Sequence, residues 1–324
     1  MTSKTDGLVA AYILQDGSGQ ALNWKQINNW QPAQGILWVH LDYADEGAKK
    51  WLLEKSGIDD VSCAALMDAE TRPRVVSSAD TLLLILRGVN FNPGADPEDM
   101  VALRMWCDEH RIISMRHRRV MATEEISKSI IAGKGPLSSG DFLVMAASKL
   151  ADRMGDLICD IDDGVDELED LVLTAEGHEM RSRLADLRRQ TISMRRYIAP
   201  QRDALARLQT ERLSWLDDND RVHIREIAER TARFVDDLDS ARDRATITQE
   251  EVNSQMSEQM NKTMYVLSII AAIFLPLGLI TGLLGINVGG IPGTENPFAF
   301  ALVCVILVVF ALLQYVLFKK KQWI

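Results

Sequence analysis

Gly285, Ile286 and Asn287 follow an apolar, uncharged run from Met264 to Leu284, and Asn287 is the only sizeable polar side chain in the segment GINVGGIPG. Repeated around a symmetric assembly, its amide oxygens would ring the mouth of a pore. The flanking glycines would leave backbone carbonyls free to join them. Neutral oxygens can hydrogen-bond the water shell of a divalent ion without stripping it, which suits small cations that dehydrate reluctantly. A tight turn explains the same cluster, because Asn and Gly are the commonest residues where φ is positive. Glu295 is the only acid between the two apolar runs. As a ring it could concentrate cations or accept a proton; alone it is a solvated loop residue.

His40, His110, His117, His178 and His223 are the soft-metal candidates. Cys107 and His110 have two residues between them, a spacing seen in zinc sites. They fall on either side of an expected hairpin turn, with no second Cys/His pair nearby. Cys159, Asp160 or His223 could combine across subunits. The acidic run DDGVDELEDL places Asp162, Asp163 and Glu167 on a helix. They read as a solvated face, or as part of a funnel that raises local cation concentration and binds regulatory metal. Lys319, Lys320 and Lys321 read as a topology signal and headgroup anchor; as a ring they would form an electrostatic barrier to cations. No nucleophile–base pair, phosphate loop or paired-carboxylate site stands out, so neither an enzyme nor a cofactor is expected.

These residues need elements to hold them. The chain of 324 residues is 47% apolar and 25% charged, but the two classes are segregated. No Asp, Glu, Lys or Arg occurs in 263–294 or in 296–318. The runs 264–284 and 298–318 are each long enough to cross roughly 30 Å of hydrocarbon. Lys262 precedes the first run and Lys319 follows the second, while the link has no Lys or Arg. Both termini are therefore expected in the cytoplasm and the link outside. A net charge of -10 disfavours nucleic acid as a partner. Four scattered cysteines point to a reducing compartment, and the N-terminal stretch does not read as a signal peptide.

Residues 1–137 alternate β-branched runs with turn signals and are expected to form a cytosolic α/β domain. A helical hairpin is expected over 138–218, then a stalk helix over 219–263 that continues into the first span. Along the stalk, Ile227, Thr231, Phe234, Leu238, Ala241, Ala245, Thr248 and Val252 alternate spacings of four and three, the pattern of a helix packed along its length. A rod on the order of 100 Å cannot bury one face against its own small domain, so self-association is expected. Residues 285–297 form the external loop and 319–324 the basic tail. Two spans cannot enclose a pathway, so a pore requires several copies, each donating its first span. The inward face would hold Asn261, Met264, Leu267, Ser268, Ala271, Leu275, Gly278 and Gly282, with the glycines permitting close approach. This narrow, uncharged strip suits a dewetting or steric gate. Gln314 is expected to face a neighbouring helix, and Pro276 to kink the first span.

A long stalk helix, a first span ending in Gly-x-Asn, a short loop, a second span and a basic tail together resemble the CorA-type metal ion transporter family. That family's signature is Gly-Met-Asn, and this chain has Gly285-Ile286-Asn287. The isoleucine variant followed by VGGIPG is similar to the family's zinc transporter branch, ZntB. RGVNFNPGADPEDMVALRMW (87–106) and ETRPRV (70–75) also resemble that branch. The resemblance covers essentially the whole chain. It implies an α+β cytosolic domain, a long stalk helix and two C-terminal transmembrane helices, assembled as a CorA-like homopentameric funnel in the inner membrane. It implies Gly285, Ile286 and Asn287 as the selectivity signature and hydrated Zn²⁺ as cargo. It also implies proton coupling, for which the spans offer no ionisable residue. Ile286 and the missing acidic Met-Pro-Glu-Leu loop set the chain apart from magnesium members. A magnesium or cobalt channel of the same family stays open as an alternative, as does a membrane-tethered metal sensor or scaffold.

Overall fold

The computed structural model describes residues 7–172, 177–286, 289, 291, 293 and 295–321; Asn287 and the side chain of His178 lie outside them. The chain divides into two compact units, Met1–Glu250 and Glu251–Ile324. Each is described by itself.

The first unit is built on a seven-stranded sheet. Its strands are β1 (Leu8–Gln15), β2 (Ser18–Ala21), β3 (Ile36–Asp42), β4 (Arg74–Ser78), β5 (Thr81–Gly88), β6 (Val101–Cys107) and β7 (Arg111–Arg116). They lie in the order β2-β1-β3-β7-β6-β5-β4, with β3 and β7 parallel and every other pair antiparallel. The expected hairpin of β6 and β7 is present, with Cys107 opposite Ile112. Helices α1 (Trp24–Asn28), α2 (Glu46–Lys55) and α3 (Asp60–Met67) contribute to a core with Leu37, Val39 and Leu41 from β3. Trp38, between two of those residues, points the other way and meets Phe142 with ring centroids 5.0 Å apart. A strand covered on both faces has no solvent side to carry polar residues, so GILWVHLD reads as a nearly continuous apolar run.

Helices α4 (Met121–Ile131), α5 (Ser139–Leu171), α6 (Gly177–Leu208) and α7 (Asp218–Leu284) follow. Ser138 starts α5 by accepting the backbone N–H of Asp141 at 2.9 Å, an N-cap that satisfies an otherwise unpaired donor. Along α7, Ile227, Thr231, Leu238, Ala241, Ala245, Thr248 and Val252 are buried, and Phe234 is half-buried beside fully covered Val235. Within the first unit this seam is covered by the chain's own helices. Arg230 reaches Asp152 of α5 at 2.6 Å, and Arg195 of α6 reaches Asp239 at 2.6 Å. A Cβ added at Gly155 of α5 would come within 3.1 Å of Phe234. The inference that this seam drives self-association is therefore corrected: α5 and α6 together give α7 the groove it needs. Any assembly has to rest on other surfaces.

The start of α7 carries a pH-sensitive group. Asp220 is 5% exposed, and burial followed by the nearby charge of Asp217 raises its carboxyl from 3.8 to about 6. Asp141 adds to the rise and His223 opposes it. The folded state thus holds this proton more tightly than the unfolded chain. The stabilising effect is complete below 3.8 and is lost as pH rises through about 6. Asp220→Asn should therefore raise the melting temperature at pH 7 and leave it unchanged near pH 3.8. Equal melting temperatures at pH 7 would contradict this account.

The second unit contains the C-terminal part of α7 and α8 (Ala299–Lys320). Both helices are long and apolar enough to cross a membrane, and none of the apolar window of either is buried in the protein. Such a surface is stable only against lipid or other copies of the chain.

Candidate functional site

In the second unit, half-buried residues recur on α7 at Ile269, Ile273, Leu277 and Ile280, and on α8 at Val303, Leu307, Ala311, Gln314 and Phe318. The two stripes are the sides on which the helices meet. Gln314 joins them by donating its side-chain N–H to the Ala272 carbonyl at 3.4 Å. The local reason is Pro276. It has no N–H to give the carbonyl four residues earlier, which is that of Ala272, and the amide of Gln314 supplies a donor in its place. Gln314 therefore faces a neighbouring helix, as its position on an apolar span suggested.

The expected pore strip lies on the other side of α7. Asn261, Met264, Leu267, Ser268, Leu275, Gly278 and Gly282 are exposed, and Ala271 is half-buried. Met264, Leu267 and Leu275 are 60%, 65% and 71% exposed, too much apolar surface to leave in water. The one hydroxyl of the strip is turned inward: Ser268 Oγ donates to the Met264 carbonyl at 2.8 Å. Gly278 and Gly282 have open space where a Cβ would stand, so another helix backbone can approach there. The strip can exclude water or pack against its own copies, but it offers no charge to hold an ion.

At the end of α7 the Gly285 N–H donates to the Thr281 carbonyl at 2.9 Å, the last backbone bond of that helix. Ile286 is exposed and Glu295 is exposed in the link. Lys319 and Lys320 occupy the last exposed turn of α8, with Lys321 at its C-cap. Asn287 lies outside the described residues, so its geometry adds nothing to the sequence argument.

The metal candidates of the first unit are not brought together. Cys107 is fully buried, and burial pushes its thiol well above the usual range, away from the thiolate that binds metals. His110 stands in the exposed turn beside Glu109 at 3.7 Å. Asp162 accepts from Arg244 at 3.0 Å and Glu167 from Arg183 at 2.8 Å; Asp163 is exposed. Arg244 also bonds Glu169 at 2.6 Å and Asp166, so one arginine ties together much of the acidic run. Among the described residues no group of three or more His, Cys, Asp or Glu side chains could hold a metal ion. His40 is a core residue: its Nδ1 lies 2.8 Å from Ser114 Oγ, and burial lowers its pKa to about 3. Sequence reasoning passed over Arg87 and Arg104, which line a cavity in the first unit. Each sits in an apolar strand, where a lone arginine reads as an edge residue.

Comparison with known proteins agrees with this arrangement. The family described as CorA-like Mg²⁺ transporter protein matches residues 33–320. The chain is 38% identical over 327 residues to the divalent cation transporter CmaX of Pseudomonas aeruginosa, covering 98% of this chain and 97% of the relative. The structure of full-length CmaX superposes with a TM-score of 0.86 at 38% identity, covering 100% of both chains. The zinc transport protein ZntB of Yersinia enterocolitica is 38% identical over 292 residues, covering 90% of this chain and 89% of that protein. The chain therefore belongs to the CorA-like Mg²⁺ transporter family and is a divalent cation transporter, not an enzyme.

Proposed function

We propose that the chain moves hydrated Zn²⁺ across the inner membrane through a homopentameric pore lined by the second half of α7, with both termini in the cytoplasm. The observation that carries this reading is the disposition of the apolar helices. The side of α7 half-buried toward α8 is opposite the strip that a pore requires, and that strip presents apolar and glycine surface to whatever joins it. Gly285, Ile286 and Asn287 would form the outer selectivity ring, Glu295 would concentrate cations beside it, and Lys319, Lys320 and Lys321 would encircle the inner end. Zinc as the cargo is supported by the Ile286 variant of the signature and by the likeness to a zinc transport protein. Proton coupling belongs to the same reading.

A broader reading has its own support: the relative aligned over 98% of this chain is described only as a divalent cation transporter. Under that reading Mg²⁺ or Co²⁺ passes as readily as Zn²⁺.

Cysteine accessibility tests the pore assignment. In a Cys304→Ala background, Leu275→Cys should let a charged thiol reagent block metal flux, because that side chain would face the pathway. Val308→Cys, exposed on α8, should give no block, because it would face lipid. Block at Val308→Cys with none at Leu275→Cys would reverse the assignment of the two helices.

A further inference from the structure

A cavity of about 480 Å³ in the first unit is lined by Arg72, Arg87, Arg104, Arg118 and Arg196, against Glu70 and Asp99 as its only acids. A concentration of five arginines is out of place in a chain of net charge -10. It is also assembled from far apart in sequence. Arg87 comes from β5, Arg104 from β6 and Arg196 from α6, while Arg72 precedes β4 and Arg118 follows β7.

The two inner arginines are positioned but not neutralised. Arg87 donates from Nη1 to the Met100 carbonyl at 2.7 Å and from Nη2 to the Thr71 carbonyl at 2.5 Å. Its guanidinium lies 4.6 Å from the centre of the Tyr197 ring. Arg104 is 2% exposed, sits 4.7 Å from the centre of the Tyr43 ring and donates from Nη2 to the Asp68 carbonyl at 2.8 Å. Neither is ion-paired with a carboxylate, and burial holds both below the usual arginine range. Nε of Arg87, Nε and Nη1 of Arg104 and Oγ1 of Thr71, itself 2% exposed, are buried without a hydrogen-bond partner. Groups of this kind are ordinarily satisfied, and each unmet one is costly.

Two other partly buried arginines of the same unit do meet carboxylates, Arg111 with Asp108 at 2.7 Å and Arg153 with Glu125 at 2.6 Å, while Arg221 is satisfied by backbone carbonyls. Five guanidinium groups around one cavity, with unmet donors on Arg87 and Arg104, suit an anion from outside the chain as the missing partner. Guanidinium forks match phosphate oxygens two at a time, and several forks around one cavity suit several phosphates. Arg72, Arg118 and Arg196 are exposed at its rim, and only Arg118 approaches an acid, Asp99 at 3.7 Å.

We propose that this cavity binds a small, free polyphosphate anion, gripped by Arg72, Arg118 and Arg196 at the rim and by Arg87 and Arg104 beneath. Because Arg196 lies on α6 while Arg87 and Arg104 lie on the sheet, the bound anion ties that helix to β5 and β6. The proposal stands independently of which cation crosses the membrane.

Titration of purified full-length protein with pyrophosphate in metal-free buffer, followed by calorimetry and thermal unfolding, tests it. Saturable binding and a higher melting temperature are expected. The rim variant Arg72→Gln/Arg196→Gln should weaken binding at least about tenfold, since charge-assisted hydrogen bonds are lost. Both residues are exposed, so its melting temperature without ligand should stay that of the wild type. A charge-matched control, Lys128→Gln/Lys134→Gln, should bind as the wild type does. Absence of pyrophosphate binding, or an equal loss in both variants, would overturn the proposal. So would uptake of short-chain phosphatidic acid by protein that ignores pyrophosphate, which would make the ligand a lipid headgroup.

Discussion

Asn287→Ala is expected to abolish zinc flux while the protein still assembles and inserts. Asn287 is the only sizeable polar side chain of its segment, so no neighbouring side chain can take over its contact with a hydrated ion. Each hydrogen bond that an amide oxygen accepts from the ion's water shell contributes about 1 kcal/mol, so a ring of them lost together lowers flux roughly a hundredfold or more. Folding should not suffer, because the sheet core is built from residues between Ala11 and Met115, far from this segment in sequence. Flux into proteoliposomes, read beside the size of the detergent-solubilised assembly, checks both halves of the expectation. Undiminished flux would remove Asn287 from the pathway and favour a hairpin that merely tethers a sensor. A dispersed assembly would show that the segment holds copies together.

Trp38→Ala is expected to have the largest effect on stability. Trp38 is fully buried between Phe142 of α5 at 5.0 Å and Tyr12 of β1 at 5.8 Å, and its Nε1 donates to Ser114 Oγ at 2.9 Å. The substitution leaves a cavity between sheet and helix and deprives a buried hydroxyl of its donor. Large-to-small changes of this kind cost about 3–5 kcal/mol. Denaturant unfolding of the full-length protein should show that loss, with Trp38→Phe intermediate because it restores volume but not the hydrogen bond. A loss below about 1 kcal/mol for Trp38→Ala would mean that the layers are not held together there.

Much of this architecture was legible in the residues. GILWVHLD, TLLLILRGV, MVALRMW and RIISMR became β3, β5, β6 and β7, because dense β-branched and apolar runs have few other uses. The three long helices and both apolar spans followed from periodicity and the absence of charge. Less visible were β2, whose SGQA carries no apolar side chain larger than alanine, and β4, whose exposed edge needs no continuous apolar run. The α7 seam was legible as a seam but not as to its partner. A four-three repeat reports that something packs against it, and α5 and α6 fit that description as well as a second copy does. The arginine cavity could not be read at all, since its side chains converge from five places along the chain only after the sheet has formed. Around Asn287 and Glu295 the chemistry rests on residue types alone: an amide flanked by glycines, and one acid.

Under the proposed function, Zn²⁺ is the ion this pathway selects. The most direct test is influx of Zn²⁺ and Mg²⁺ into proteoliposomes bearing the purified protein, with and without a pH gradient across the bilayer. Zn²⁺ influx well above that of Mg²⁺, and faster when the gradient is imposed, is the expected result. Mg²⁺ influx equal to or above that of Zn²⁺, following voltage and indifferent to pH, would contradict it.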